Sequence, residues 1–474
     1  MSSIIREQIK YPVIIGDDQI IGTKYDYSSC SGRMAQYAFI SPTNGEITVD
    51  GEKLKIADHR TLSRYQEYKD CGFDVMLLLP NDRYEGEEFM SSDLKMNLDL
   101  CHKVGLKTVV CDGRLHDMTM KKESLIGTQF DSFDKLVDWV RDCMNPYMTH
   151  PSFYGVTLYD EPRFQHLAAV GEVTRAVKAV CPKAFVHTCL LPYFASVDYG
   201  LLDFRTSLGP DADPDTTKEY KKYITTHLEN TGADYVAYDN YPIFYSNNET
   251  WICFTYFHNL QMVANVANKF NARIDLTIQT YADTNTEMRL CDGDDVRFQA
   301  YAALAFGAKN VSYFTYFMFP HVKSGKGICQ AIMDMHGNKL LYYETQSVNA
   351  IAQKVYKVTE NFRYAGTNFA CEEKDADLFE KLVKTDFDTI KNVTAAEPLL
   401  INRLYDYNRN VEGFMLVNAS DPARKLNNVV KLELNGKTKA IVYVDGNPIF
   451  APLKDGVLDL NISCGDGVFI IPIE

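Results

Sequence analysis

Between Gln36 and Asn361 strand signals and helix signals alternate eight times, and this alternation limits the chain to very few folds. Neighbouring parallel strands need a crossover of a dozen or more residues, normally a helix. Eight βα units in succession therefore predict a closed (β/α)8 barrel.

The strands are read at Gln36–Pro42, Phe73–Leu79, Leu106–Cys111, Ser152–Tyr159, Ala184–Leu190, Asp234–Tyr238, Arg273–Gln279 and Val311–Tyr316. Helices are expected over Asp58–Gly72, Ser92–Val104, Phe133–Met144, Trp251–Lys269, Val296–Gly307 and Leu340–Asn361, with another after Pro162 carried by Leu167, Val170, Val173, Val177 and Val180. Several of these begin at Asp or Ser and stop at Gly, as helix capping favours. Tyr11–Gly16 and Gln19–Gly22 suit a short hairpin closing the barrel floor.

Past Ala365 the pattern shortens to alternating segments at 413–418, 429–434, 440–444, 457–462 and 468–473, separated by Asn-Gly, Asp-Gly and Gly-Asp-Gly turns. This is the pattern of an antiparallel β-sandwich. The expected division is a barrel over residues 1–362 and a linker with a sandwich over 363–474.

A formal charge of -14 makes nucleic acid and anionic membranes poor partners, because both would repel the chain. Twelve cysteines lie without CxxC pairs or His/Cys ligand spacing, so no metal, cofactor or disulfide framework is expected. Met1–Gln8 has no basic-then-apolar leader and no apolar run reaches membrane-spanning length, which makes a cytoplasmic location the default. Homo-oligomerisation is left open. The 30 tyrosines and 26 phenylalanines, many near strand ends, are compatible with a carbohydrate cleft, since sugars are held by flat apolar faces with polar tips.

The chemistry points to the end of the fourth strand, where Asp160-Glu161-Pro162 follows Tyr159. Carboxylates at the carboxyl end of a barrel strand are placed for catalysis. Cleaving a glycosidic bond needs a proton donor and a second carboxylate. Glu161 is the candidate acid, and Asp160 or Asp239, at the end of strand six, its partner. The plain alternative is a strand-end doublet that caps the next helix. Arg114, His116, Tyr193, Asn240, Tyr241, Gln279, Tyr281 and Tyr316 follow or end predicted strands and are candidate substrate contacts. Glu287, just before Arg289, reads as an Arg-paired surface residue.

The DEP and YDNYP motifs, with Arg297-Phe298-Gln299-Ala300-Tyr301-Ala302-Ala303-Leu304-Ala305-Phe306-Gly307-Ala308-Lys309 and the following Tyr313-Phe314-Thr315-Tyr316, resemble bacterial (β/α)8 glycoside-hydrolase-like proteins related to the family 42 β-galactosidases. The resemblance covers most of residues 36–350 and implies glycosidase activity on a carbohydrate substrate. In the retaining enzymes of that clan an Asn-Glu pair ends strand four and a nucleophilic Glu ends strand seven. Here Asp160 replaces the Asn, and Gln279 stands where the nucleophile would be. An adjacent Asp-Glu pair is instead similar to barrels that cleave N-acetylhexosaminides by substrate assistance, with Tyr241 a candidate support for the acetamido oxygen. A third reading is a barrel that binds carbohydrate without cleaving it.

Overall fold

The computed structural model describes residues 34–474 apart from 41, 43–45, 50–51, 56–57, 80–82, 199–215, 284–285 and 319–328. The hairpin expected at 11–22 lies outside the described residues.

Seven parallel strands stand side by side in chain order: Val75–Leu77, Lys107–Cys111, Phe153–Asp160, Phe185–Leu190, Tyr235–Asp239, Arg273–Gln279 and Asn310–Phe314. The eighth stave is the segment expected as the first strand. Its backbone accepts from Asp74 and Val75 through the Gln36 carbonyl on one side, and on the other Phe39 N–H donates to Tyr313 O at 2.8 Å while Tyr313 N–H donates to Tyr37 O at 3.1 Å. It closes the ring without being a regular strand, because Ile40 takes a φ of 53° and turns the chain away after a single bridge between Ala38 and Tyr313. The fold is a (β/α)8 barrel, and the order of its staves is the one read from the sequence.

Inward-facing side chains fill the barrel with rings and small residues, among them Tyr37, Phe39, Val75, Val109, Tyr154 and Cys189. Outward-facing Val156, Leu158, Leu276 and Ile278 pack under the helices. The helices start where the sequence caps them. Ser92 accepts from Lys95 N–H, Ser132 from Lys135 N–H, and Asp292 forms a reciprocal capping box with Asp295.

One boundary moved. The helix expected from Trp251 begins at Tyr256, and Glu249–Ile252 pairs antiparallel with Ile243–Ser246 as a hairpin. Asn247 and Asn248, with φ of 52° and 64°, make its two-residue turn, a conformation in which paired positive φ values match the twist of the strands.

After the helix Tyr342–Thr359 the chain forms a six-stranded sheet facing a three-stranded one. The six-stranded sheet is apolar on both faces. Leu399, Ile401, Phe414 and Leu416 enter the core between the sheets, while Leu400, Leu404, Met415 and Val417 join the barrel core. No helix among the described residues is long and apolar enough to cross a membrane.

Candidate active site

The fourth strand is aimed by an irregularity. Thr157 pairs with His187 and Tyr159 with Thr188, so the ladder slips by one residue between them. A β-bulge of this kind reverses the facing of everything beyond it. Asp160 then aligns with Cys189, an inward-facing residue, and its side chain points into the barrel mouth. Glu161 follows with a φ of 57°, in the left-handed region, while its N–H still donates to Cys189 O at 2.8 Å. Strain of this type in a non-glycine residue costs roughly 1–3 kcal/mol and collects at functional sites.

Both carboxyls of the doublet reach solvent. Neither is held by a hydrogen bond or ion pair among the described residues. Crowding by surrounding protein, followed by the charge of Glu161, nevertheless pushes the Asp160 carboxyl up to about 7.

Asp239 ends the sixth strand and is buried. It faces inward because it pairs with Thr277, whose hydroxyl bonds that of Ser312 on the neighbouring strand at 2.8 Å on the barrel's inner face. Burial, then the charges of Glu161 and Asp160, raise its carboxyl well above the ordinary range, and a hydrogen bond from the Tyr241 side chain pulls the other way. Its Oδ1 has no partner among the described residues. The Glu161 carboxyl is also raised, by desolvation. Interacting carboxyls of this kind titrate as a group rather than singly.

Cys189 lies among them, on the strand between Asp160 and Asp239. Burial raises its thiol, and Asp239, Asp160, Glu161 and the deeper Asp275 add to the rise. Asp275 itself is satisfied by Tyr37, Asn310 and Ser312 at 2.9, 2.9 and 3.0 Å. Beneath the doublet His187 hydrogen-bonds Thr157 at 3.0 Å, and burial pushes its imidazole down to about 3, so it is neutral there. No cluster of three or more His, Cys, Asp or Glu suited to a metal occurs among the described residues.

Tyr241 stacks on Phe314 with ring centroids 5.4 Å apart, and Tyr281 meets the same ring edge-on at 5.5 Å. These three rings form an aromatic wall beside the acidic cluster, with Tyr241 two residues from Asp239. Phe314, Cys189 and His187 were not singled out from the sequence. Phe314 could have been, since it closes the YF pair at the end of the last strand, but nothing marks the other two.

Other candidates have structural tasks. Gln279 is fully buried and grips the backbone of Ile243, accepting from its N–H at 2.9 Å and donating to its carbonyl at 3.1 Å. Arg114 is forked onto the buried Asp112, with a further bond to Cys143 O at 2.7 Å. Asn240 donates to Asn259, whose own amide reaches Tyr220. Tyr193 is buried against Tyr220 and His258, and its N–H donates to Asn259. Tyr316 packs outside the barrel against Tyr68 and Phe73. His116 stacks on Tyr159, on the outward side of the fourth strand. Glu287 is exposed, and the side chain of Arg289 pairs with Asp295 and Asp421 instead.

No family model matches the chain, and no curated protein matches it. Solved structures do. An α-amylase from Anoxybacillus, described as giving insight into a new glycosyl hydrolase subclass, is similar over 95% of this chain and 99% of its own at 10% identity, with a TM-score of 0.50. A glycoside hydrolase of family 5 from Bacteroides vulgatus is similar over 93% and 88% at 10% identity, TM-score 0.45, and a glucosidase from Croceicoccus marinus over 96% and 97% at 10% identity, TM-score 0.43. The fold is thus one that glycoside hydrolases use.

Proposed function

We propose that the protein is a glycoside hydrolase acting on an oligosaccharide or glycoside, with Glu161 as general acid/base and Asp239 as its partner. One observation carries this reading: Asp160, Glu161 and Asp239 converge at the carboxyl-end mouth of the barrel with their carboxyls all shifted upward. A cluster that keeps a proton near neutral pH can deliver it to a leaving oxygen, and the remaining carboxylate then serves the anomeric centre or its water. Glu161, and not the buried Asp239, is the donor in this scheme because it reaches solvent and so can meet a bound substrate. The aromatic wall of Tyr241, Phe314 and Tyr281 supplies a face for a sugar ring.

A second reading has support of its own. Gln279 is committed to the Ile243 backbone, so strand seven offers no attacking carboxylate at that position. Substrate assistance would need none: the acetamido oxygen of an N-acetylhexosaminide attacks, Asp160 orients it and Glu161 protonates the leaving group.

The test is a panel of nitrophenyl glycosides, with and without a 2-acetamido group, turned over by wild type and Glu161→Gln. The expected result is turnover of at least one glycoside and a loss of about 10²–10⁴-fold in the variant. Equal rates would remove Glu161 from the chemistry, and no turnover at all by wild type would favour a barrel that only binds carbohydrate. Cleavage confined to 2-acetamido sugars would select the substrate-assisted route.

A further inference from the structure

The hairpin Ile243–Ile252 rises from the rim two residues after Tyr241. On it Phe244 and Trp251 sit directly across from each other and stack, with centroids 4.6 Å apart and planes 16° from parallel. Both rings are half-buried, while Tyr245, Asn247 and Asn248 beside them are exposed. The indole is fixed from a second direction, since Trp251 Nε1 donates to Ser246 Oγ at 3.0 Å. The hairpin base is fixed as well. Gln279 binds both backbone groups of Ile243, and Tyr245 N–H donates to Glu287 O at 2.8 Å.

The two rings pack against the main core on one side, and Phe244 bridges to Met288, yet both stay partly open to solvent next to exposed amides. This is what binding a ring with an apolar face and hydroxyl edges requires, because a pre-ordered platform loses little freedom on binding. Position fixes which ring. Phe244 lies three residues from Tyr241, at most ~11 Å of chain, so the platform stands close beside the aromatic wall.

We propose that the Phe244–Trp251 hairpin is a distal carbohydrate subsite, which makes the substrate an oligosaccharide extending beyond the rings at the cleaved bond. Asn247 and Asn248 hydrogen-bond its hydroxyls, and Gln279 is a positioning residue that pins the platform to strand seven. This deepens the hydrolase reading and rests on it for the location of the cleaved bond.

The chain has two tryptophans, Trp139 and Trp251. In a Trp139→Phe, Glu161→Gln background, emission from Trp251 is followed while oligosaccharides of one to six rings are added, drawn from the gluco, galacto, xylo and N-acetylglucosamine series. The expected result is a saturable change for a series that appears only above two rings. In the otherwise wild-type enzyme Trp251→Ala lowers the ratio of kcat/KM for a four-ring substrate to that for a one-ring substrate by about tenfold, the scale of one lost stack, and Trp251→Phe restores most of it. An emission that no series moves, or a ratio left unchanged by Trp251→Ala, overturns the subsite. Binding does not need turnover, so an emission change without hydrolysis by wild type keeps the subsite and rejects the hydrolase.

Discussion

At Asp160 two properties that usually exclude each other coincide: the carboxyl meets water, and its proton is held up to about 7. Their combination has a consequence for stability. A carboxyl whose folded value lies above its unfolded one binds protons better in the folded state, so its favourable contribution is full below the ordinary carboxylate range near 4 and is lost as pH rises through about 7. Asp239 and Glu161 shift in the same direction and add to the trend. Melting temperature should therefore fall from pH 5 to pH 8, and Asp160→Asn should flatten the fall and raise the value at pH 8. Thermal melts across that interval decide it. A variant curve parallel to wild type, or one that melts lower at pH 8, would mean the doublet is not crowded by like charge. Glu161 adds its own sign of function over stability in its left-handed backbone.

At the level of elements, Arg114 shows why proximity to a strand end is a poor guide to function. Asp112 follows the third strand and caps the helix Gly113–Thr119, and it is fully buried. Arg114 neutralises it at 2.7 Å and Tyr147 adds a hydroxyl at 2.9 Å. Arg114→Ala would leave that carboxylate buried without its cation, which should destabilise by about 3 kcal/mol. KM per folded molecule should not change. Denaturant unfolding with kinetics on the same preparation checks both, and a raised KM with unaltered stability would return Arg114 to the cleft. The staves and most helices were legible because hydrophobic period and capping residues act locally. The hairpin at 243–252 was not, since its aromatic run continues into the true helix without a Gly or Pro break, and the Asn-Asn turn was the only local sign. The bulge that turns Asp160 inward is set by pairing with the fifth strand, and no spacing within residues 152–161 reveals it. The DEP motif could thus be found from sequence, but not the direction of its side chains.

Across the whole molecule, the helix Gly293–Ala305 explains why barrel and sandwich should behave as one unit. Its first turns carry Asp294, Asp295 and Arg297, but from Phe298 to Ala305 every residue is buried, and a stretch buried all round must be covered all round. One side lies on the barrel strands and the other under the six-stranded sheet, where Asn402 donates to Ala305 O and a side chain at Gly467 would run into the Tyr301 ring. Ion pairs frame the seam, from Arg289 to Asp421, Arg297 to Asp466 and Lys425 to Asp292 and Asp294. The small residues of the most distinctive sequence block are therefore a packing requirement between two layers, not part of the acidic site. Because one sheet contributes a face to each core, loss of either layer should expose the other. Calorimetry should then show a single unfolding transition, and a chain ending at residue 362 should lose its native melt and aggregate, with Leu400, Leu404, Met415 and Val417 no longer there to cover this helix. Two separated transitions, or a soluble and cooperatively melting barrel without the sandwich, would show that the seam is dispensable and that the site stands on the barrel alone.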